Sequence, residues 1–377
     1  MTTPAEQEMP ARWQQQPSGP RSVMPFLRAL LESGGSDLHC KAGSPPRIRV
    51  DGRLRRLDAP ELTPADTDHM VHEVLRSDLV DSFEETNEAD FAYSIQGVGR
   101  FRVNAFRQRG TAGLVFRAVS IGATPLTDLE LPDVVAPLAL EPRGLVLVTG
   151  PTGSGKTTTL AGMVDHINSN REVHIVTIED PIEVLHRDKI AMINQREVHV
   201  DTGSFATAMR AAMRQDPDVI LVGEMRDVET VRAAISAAET GHFVMSTLHT
   251  VDSEETVARI IDFFPPYEQR QVRLSLAGAL RGILCQRLVP RSDGKGRAAA
   301  MEVCINTGRV AEAISDADKT STISQLVAEG GYYGMQTFDQ HLTKLFADGV
   351  VTLDAALASS SNPHDLVVEL RRLGLVQ

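Results

Sequence analysis

The chain has 377 residues, 38 Lys and Arg against 50 Asp and Glu for a net charge of −12, and 42% hydrophobic residues. At about 100–200 residues per domain that length suggests two globular domains, and the acidic balance argues against a generic nucleic-acid binder, because neutralising a phosphate backbone takes a surplus of Lys and Arg. No apolar run approaches the ~18 residues of a spanning helix. The chain is therefore expected in the cytosol, with peripheral membrane contact at most. Cys40, Cys285 and Cys304 are too few and too scattered for a disulfide framework or a zinc module, and read as reduced, buried thiols.

Residues 1–22, with Pro4, Pro10, Pro17 and the run Gln14-Gln15-Gln16, read as a disordered tail. Phe26, Leu27, Leu30 and Leu31 then fall at helical spacing between Met24 and Glu32, and Gly34-Gly35 stops that helix. Asp51-Gly52 between Arg47–Val50 and Arg53–Leu57 marks a hairpin with a two-residue turn. Thr63, followed by Pro64 and Asp66, looks like an N-cap opening a helix to about Arg76. Strand-like runs follow at Asp90–Ile95, Arg100–Gln108 and Gly113–Val119. Residues 23–120 thus read as a small α+β domain on an antiparallel sheet.

Between residues 121 and 143, Pro125, Pro132, Pro137 and Pro142 exclude one long helix, and the stretch reads as a semi-rigid interdomain linker. From Gly144 to the C-terminus short apolar strands alternate with amphipathic helices, the pattern of an α/β domain whose parallel sheet is covered on both faces. The strand candidates are Leu145–Thr149, His174–Ile178, Val219–Val222 and Phe243–Leu248. A further strand at Ala298–Ile305 is followed by short C-terminal helices.

Gly150-Pro151-Thr152-Gly153-Ser154-Gly155-Lys156-Thr157 matches the phosphate-binding pattern G-x-x-x-x-G-K-[ST], between an apolar strand and a helix as that motif requires. Glycines let backbone N–H groups curl round phosphates, Lys156 reaches the β and γ phosphates, and the Thr157 hydroxyl is a Mg²⁺ ligand. Thr158 extends the nucleotide-binding set. Glu224 follows the strand 219–222 at a Walker-B-like position and is the second candidate Mg²⁺ ligand. A second acidic run, Glu179-Asp180-Pro181-Ile182-Glu183, follows another apolar strand towards the same sheet edge. His242 and His249 bracket the strand 243–248 at opposite ends, which makes a shared metal site unlike them; His249, at the carboxyl end, could bond a γ phosphate or the attacking water.

With these residues the chain resembles the secretion-type ATPases that power type IV pili and type II secretion, most closely their pilus-retraction branch. The resemblance rests on Ser36-Asp37-Leu38-His39, the loop Gly150–Thr157, the acidic box Thr177–Glu183, Gly223-Glu224-Met225-Arg226-Asp227, the histidine box Thr240-Gly241-His242 to Thr247-Leu248-His249-Thr250, and Gly334-Met335-Gln336-Thr337. It implies a PAS-like N-terminal domain, a RecA-like ATPase domain and a homohexameric ring that hydrolyses ATP with Mg²⁺. It also implies docking on an inner-membrane platform protein at the cytoplasmic face, beside a paralogous pilus ATPase in some systems. Glu183 would be the base or water-orienting acid, Glu224 would hold the metal shell, and Glu179 and Asp180 would support them. Arg102 and Arg117 match arginines that reach a nucleotide bound by the neighbouring subunit.

One segment departs: the retraction branch reads Ala-Ile-Arg-Asn-Leu-Ile-Arg-Glu where this chain has Arg309-Val310-Ala311-Glu312-Ala313-Ile314-Ser315-Asp316. That keeps an accessory retraction paralogue in view. An assembly or type II secretion ATPase would normally carry a four-cysteine zinc module, absent here, and a nucleic-acid translocase is the remote alternative.

Overall fold

The computed structural model describes residues 19–376, so the predicted tail lies, up to Ser18, outside the described residues. The chain divides after Ser120 into two compact units. No helix among the described residues is long and apolar enough to cross a membrane.

The first unit opens with α1 (Met24–Glu32), β1 (Asp37–Lys41), β2 (Arg47–Val50) and β3 (Arg53–Arg56), continues through α2 (Pro64–Val74) and α3 (Val80–Thr86), and closes with β4 (Glu88–Ile95), β5 (Gly99–Gln108) and β6 (Thr111–Ala118). The strands make one antiparallel sheet in the order β3-β2-β1-β6-β5-β4. Asp51 and Gly52 take φ of 49° and 74°, the left-handed pair a two-residue hairpin turn needs. The hydroxyl of Thr63 accepts from the Asp66 N–H, while the Asp66 carboxylate accepts from the Thr63 N–H, a complete capping box that starts α2. Phe26, Leu30 and Met70 from the helices bury against Leu38, Phe101 and Phe116 on one sheet face. The opposite face carries the polar alternates, so Arg102 and Arg117 stand directly across from one another on β5 and β6.

The second unit follows the short strand β7 (Ser120–Ile121) and runs α4 (Val135–Ala139), β8 (Gly144–Thr149), α5 (Lys156–Asn170), β9 (His174–Glu179), β10 (Val184–Leu185), β11 (Met192–Glu197), α6 (Phe205–Ala212), β12 (Val219–Val222), α7 (Val228–Glu239), β13 (Phe243–Leu248), α8 (Ser253–Asp262) and α9 (Pro266–Ala279). After these come β14 (Leu280–Pro290), β15 (Arg297–Ile305) and the helices α10 (Gly308–Ser315), α11 (Ile323–Glu329), α12 (Phe338–Ala347), α13 (Leu353–Ser359) and α14 (Pro363–Arg372). The sheet order is β11-β9-β12-β13-β8-β14-β15, parallel from β11 through β14, with β15 returning antiparallel. Every residue of β8, β12 and β13 is buried, which is why these strands are mostly apolar rather than alternating, with Thr149, Ser246 and Thr247 as buried polar exceptions towards their carboxyl ends. Leu147, Ile178, Ile220 and Val244 face a layer that includes α6, α7, α8 and α9; Val148, Leu221 and Met245 face α5 and α4.

The stretch 121–143 departs from its expected role as a linker. Leu126, Val135, Leu138 and Ala139 are buried in the same core as Leu160, Met163 and Ile167 of α5, so the segment is a covering layer of the second unit. Its prolines break it into a short 3-10 turn and the one-turn-plus helix α4, and the apolar residues between them seal the sheet.

Candidate functional site

Parallel strands deliver their carboxyl ends to one edge, and four of them do so here: β8 into the loop 150–155, β9 into the acidic box, β12 into Gly223-Glu224 and β13 into His249. Together they line a cleft of about 640 Å³ that includes Gly153, Lys156, Thr157, Thr158, Glu183, Glu224 and His249. Of the expected site residues of the second unit, the cleft brings together Thr152, Gly153 and residues 155–158 with Glu183, Glu224 and His249, while Gly150, Pro151 and Ser154 shape the loop without lining it. Arg102 and Arg117 belong to the first unit, where Arg117 Nε donates to Asp37 Oδ1 at 2.9 Å and Arg49 Nε approaches Asp37 Oδ2 at 3.7 Å. The buried Asp37 carboxyl is held below its usual range: burial opposes this, and the hydrogen bonds from Ser36 and Arg117 outweigh it.

The loop owes its shape to close approach. Gly150 has φ of 139°, and a Cβ there would sit 2.4 Å from the Gln286 carbonyl; Gly155 has φ of 93°, and a Cβ there would sit 2.6 Å from Gln286 Nε2. Gln286, on β14, also accepts from the Thr159 hydroxyl at 2.7 Å, so one buried side chain braces the loop and the first turn of α5. Sequence reasoning passed over Gln286, although an amide inside the apolar run Ile283–Val289 was the available signal.

Lys156 Nζ donates to its own loop, to Gly150 O at 2.6 Å and Pro151 O at 3.1 Å, and lies 3.4 Å from His249 Nδ1. Burial lowers its pKa, and the Glu224 charge opposes that. On its other side His249 Nε2 is 3.1 Å from Glu224 Oε1, and Arg226 Nη2 holds Glu224 Oε2 at 2.8 Å. Lys156, His249, Glu224 and Arg226 therefore form a continuous polar chain across the cleft floor. The hydrogen bond to Glu224 raises the Arg226 pKa above its already high value.

In the acidic box the two glutamates occupy different environments. Glu183 is exposed on the cleft wall, whereas Glu179 is half-buried and accepts from the Thr177 hydroxyl at 2.6 Å and from Gln195 Nε2 at 3.1 Å. Burial raises the Glu179 carboxyl pKa despite those bonds. Glu197 adds a second brace, its carboxylate accepting from the Ile182 N–H at 3.1 Å. Glu179 and Glu197 thus fix the backbone that presents Glu183. His242, at the far end of β13, bonds to the Ala237 carbonyl and stays apart from the cleft.

The donor set suits a nucleotide with a hard cation. The backbone curl leaves no room for a Cβ at Gly150 or Gly155, and a hydroxyl (Thr157) and a carboxylate (Glu224) line the same cleft as the lysine.

A phosphate-type loop at the carboxyl edge of a mostly parallel sheet, with acids from two neighbouring strands, defines the RecA-like P-loop nucleotide-binding class. The chain belongs to the type II/IV secretion system protein family, whose model matches residues 15–347, and within it to the PilT-type branch. It is 45% identical over 343 residues to the type IV pilus retraction ATPase PilT of Pseudomonas aeruginosa, covering 91% of this chain and 99% of that one. The type IV pilus ATPase PilU of the same organism is 42% identical over 341 residues, covering 90% of this chain and 89% of that one. A crystal structure of the pilus retraction motor PilT with bound ADP superposes with a TM-score of 0.84 at 44% identity, covering 92% of this chain and 99% of that one.

Proposed function

We propose that this chain is a Mg²⁺-dependent ATPase that drives type IV pilus retraction as a homohexamer docked on an inner-membrane platform protein at the cytoplasmic face. The carrying observation is the single cleft that joins the loop lysine, Glu183 and Glu224, in a chain alike over nearly its whole length to retraction ATPases.

In this reading the N–H groups of Gly153 to Thr157 cradle the phosphates, and Lys156 leaves the carbonyls of Gly150 and Pro151 for the β and γ oxygens. Thr157 and Glu224 would hold Mg²⁺, and the ion would supply positive charge to offset the charge of the phosphate groups. Glu183, exposed on the wall and fixed through Glu179 and Glu197, orients the attacking water and takes its proton. His249 already bridges Lys156 and Glu224, so its partners change when a γ phosphate arrives. Arg102 and Arg117 of the neighbouring subunit bring positive charge to the transition state, a role worth about 10³–10⁵ in rate where such arginines act.

A second reading, an accessory ATPase beside a paralogue, is favoured by the near-equal likeness to PilU and by the divergent segment Arg309–Asp316, which makes up most of α10 and its C-cap. Deleting the gene separates the two. Retraction by this chain predicts surplus, non-retracting pili; the accessory role predicts retraction that persists at reduced force, and bald cells would overturn both.

A further inference from the structure

The hairpin β2–β3 carries Arg47, Arg49, Arg53, Arg55 and Arg56 against the single Asp51, in a chain whose net charge is −12. The charge is unevenly spread: residues 121–377 carry −11 and residues 1–120 only −1. Arg49 is engaged with Asp37 and the Gly52 carbonyl. Arg47, Arg53, Arg55 and Arg56 are exposed, and none makes a side-chain ion pair among the described residues. β3 is an edge strand exposed at all four positions, and its one apolar residue, Leu54, is 42% exposed between the arginines.

We infer that this hairpin is a docking surface for an anionic phospholipid bilayer. Alternation along β3 sends Arg53 and Arg55 to one side of the ribbon and Arg56, opposite Arg47, to the other. Guanidinium groups splayed in this way do not converge on one small anion. β3 is the sheet edge, so a surface met edge-on reaches arginines on both faces of the ribbon. A fluid bilayer supplies phosphates that move to each of them, where a folded acidic partner would need carboxylates fixed at matching positions. Arginine pairs phosphate oxygens bidentately, and Leu54 adds apolar contact at the headgroup boundary.

The test is sedimentation of the full chain with vesicles of zwitterionic phosphatidylcholine alone and of a phosphatidylcholine–phosphatidylglycerol mixture, at low and high salt. A basic side chain near an anionic surface contributes roughly fivefold in partitioning, so replacing Arg47, Arg53, Arg55 and Arg56 with Ser should weaken binding by about two to three orders of magnitude. ATP hydrolysis without lipid should be unchanged, which verifies folding. Binding confined to the anionic vesicles, lost in high salt and lost in the fourfold variant, is the expected result. Equal binding to both vesicle types, no binding by the wild-type chain, or an undiminished variant would overturn it. So would loss of self-assembly in the lipid-free variant, which would assign the arginines to a second copy of this chain.

Discussion

Individual side chains set how the second unit responds to acid. His341 on α12 is buried, its Nδ1 accepts from the Met301 N–H at 2.9 Å, and burial with the nearby Lys344 charge pushes its pKa from 6.5 down to about 4. A base whose folded pKa is depressed stays neutral in the native state while the unfolded chain protonates, so stability is present above pH 6.5 and is lost as pH falls towards 4. Between pH 7 and pH 5 this one group should cost about 2 kcal/mol at roughly 1.4 kcal/mol per pH unit below 6.5. Denaturant unfolding at the two pH values should show that loss in the wild type and a smaller one in His341→Gln, which keeps an acceptor for Met301. Equal pH dependence in both proteins would contradict the assignment. At this scale the sequence announced Lys156, Thr157 and the acids through motif spacing, because phosphate binding demands particular residues in order. It did not announce His341, Gln286 or Glu197, since a buried polar group is defined by what folds around it.

At the scale of elements, local rules carried most of the reading. The Asp51-Gly52 turn, the Thr63 capping box and the wholly buried, mostly apolar strands β8, β12 and β13 each follow from a constraint contained within a few residues. The misread element was 121–143, where the prolines were legible and the destination of Leu126, Val135 and Leu138 was not, because the surface they cover lies in β8 and α5. β14 was also missed: it starts directly after α9 with no turn residues between them, and its apolar run is compatible with either structure. Its functional weight lies in Gln286, which joins β14 to the loop and to Thr159. Gln286→Leu leaves the Thr159 hydroxyl buried without that partner, so it should cost about 1–3 kcal/mol in unfolding free energy. It should also weaken nucleotide binding more than it slows turnover of bound nucleotide. A variant with wild-type stability and affinity in chemical denaturation and ADP titration would remove Gln286 from that role.

For the molecule as a whole, the organisation is a small unit that carries an arginine-rich sheet face and a larger unit that holds the cleft. The two-unit reading was available from composition and pattern change alone, whereas the cross-strand pairing of Arg102 with Arg117 needed the register of β5 and β6. The division of labour proposed for the ring depends on chemistry at one place, the wall and floor of the cleft. The most direct test is therefore the steady-state ATP hydrolysis rate of assembled wild-type protein beside Lys156→Ala and Glu183→Gln. Lys156→Ala should lose hydrolysis together with tight nucleotide binding, and Glu183→Gln should still bind ATP while turning it over about 10²–10⁴-fold more slowly. Wild-type rates in either variant would contradict the assignment of this cleft as the motor's active site.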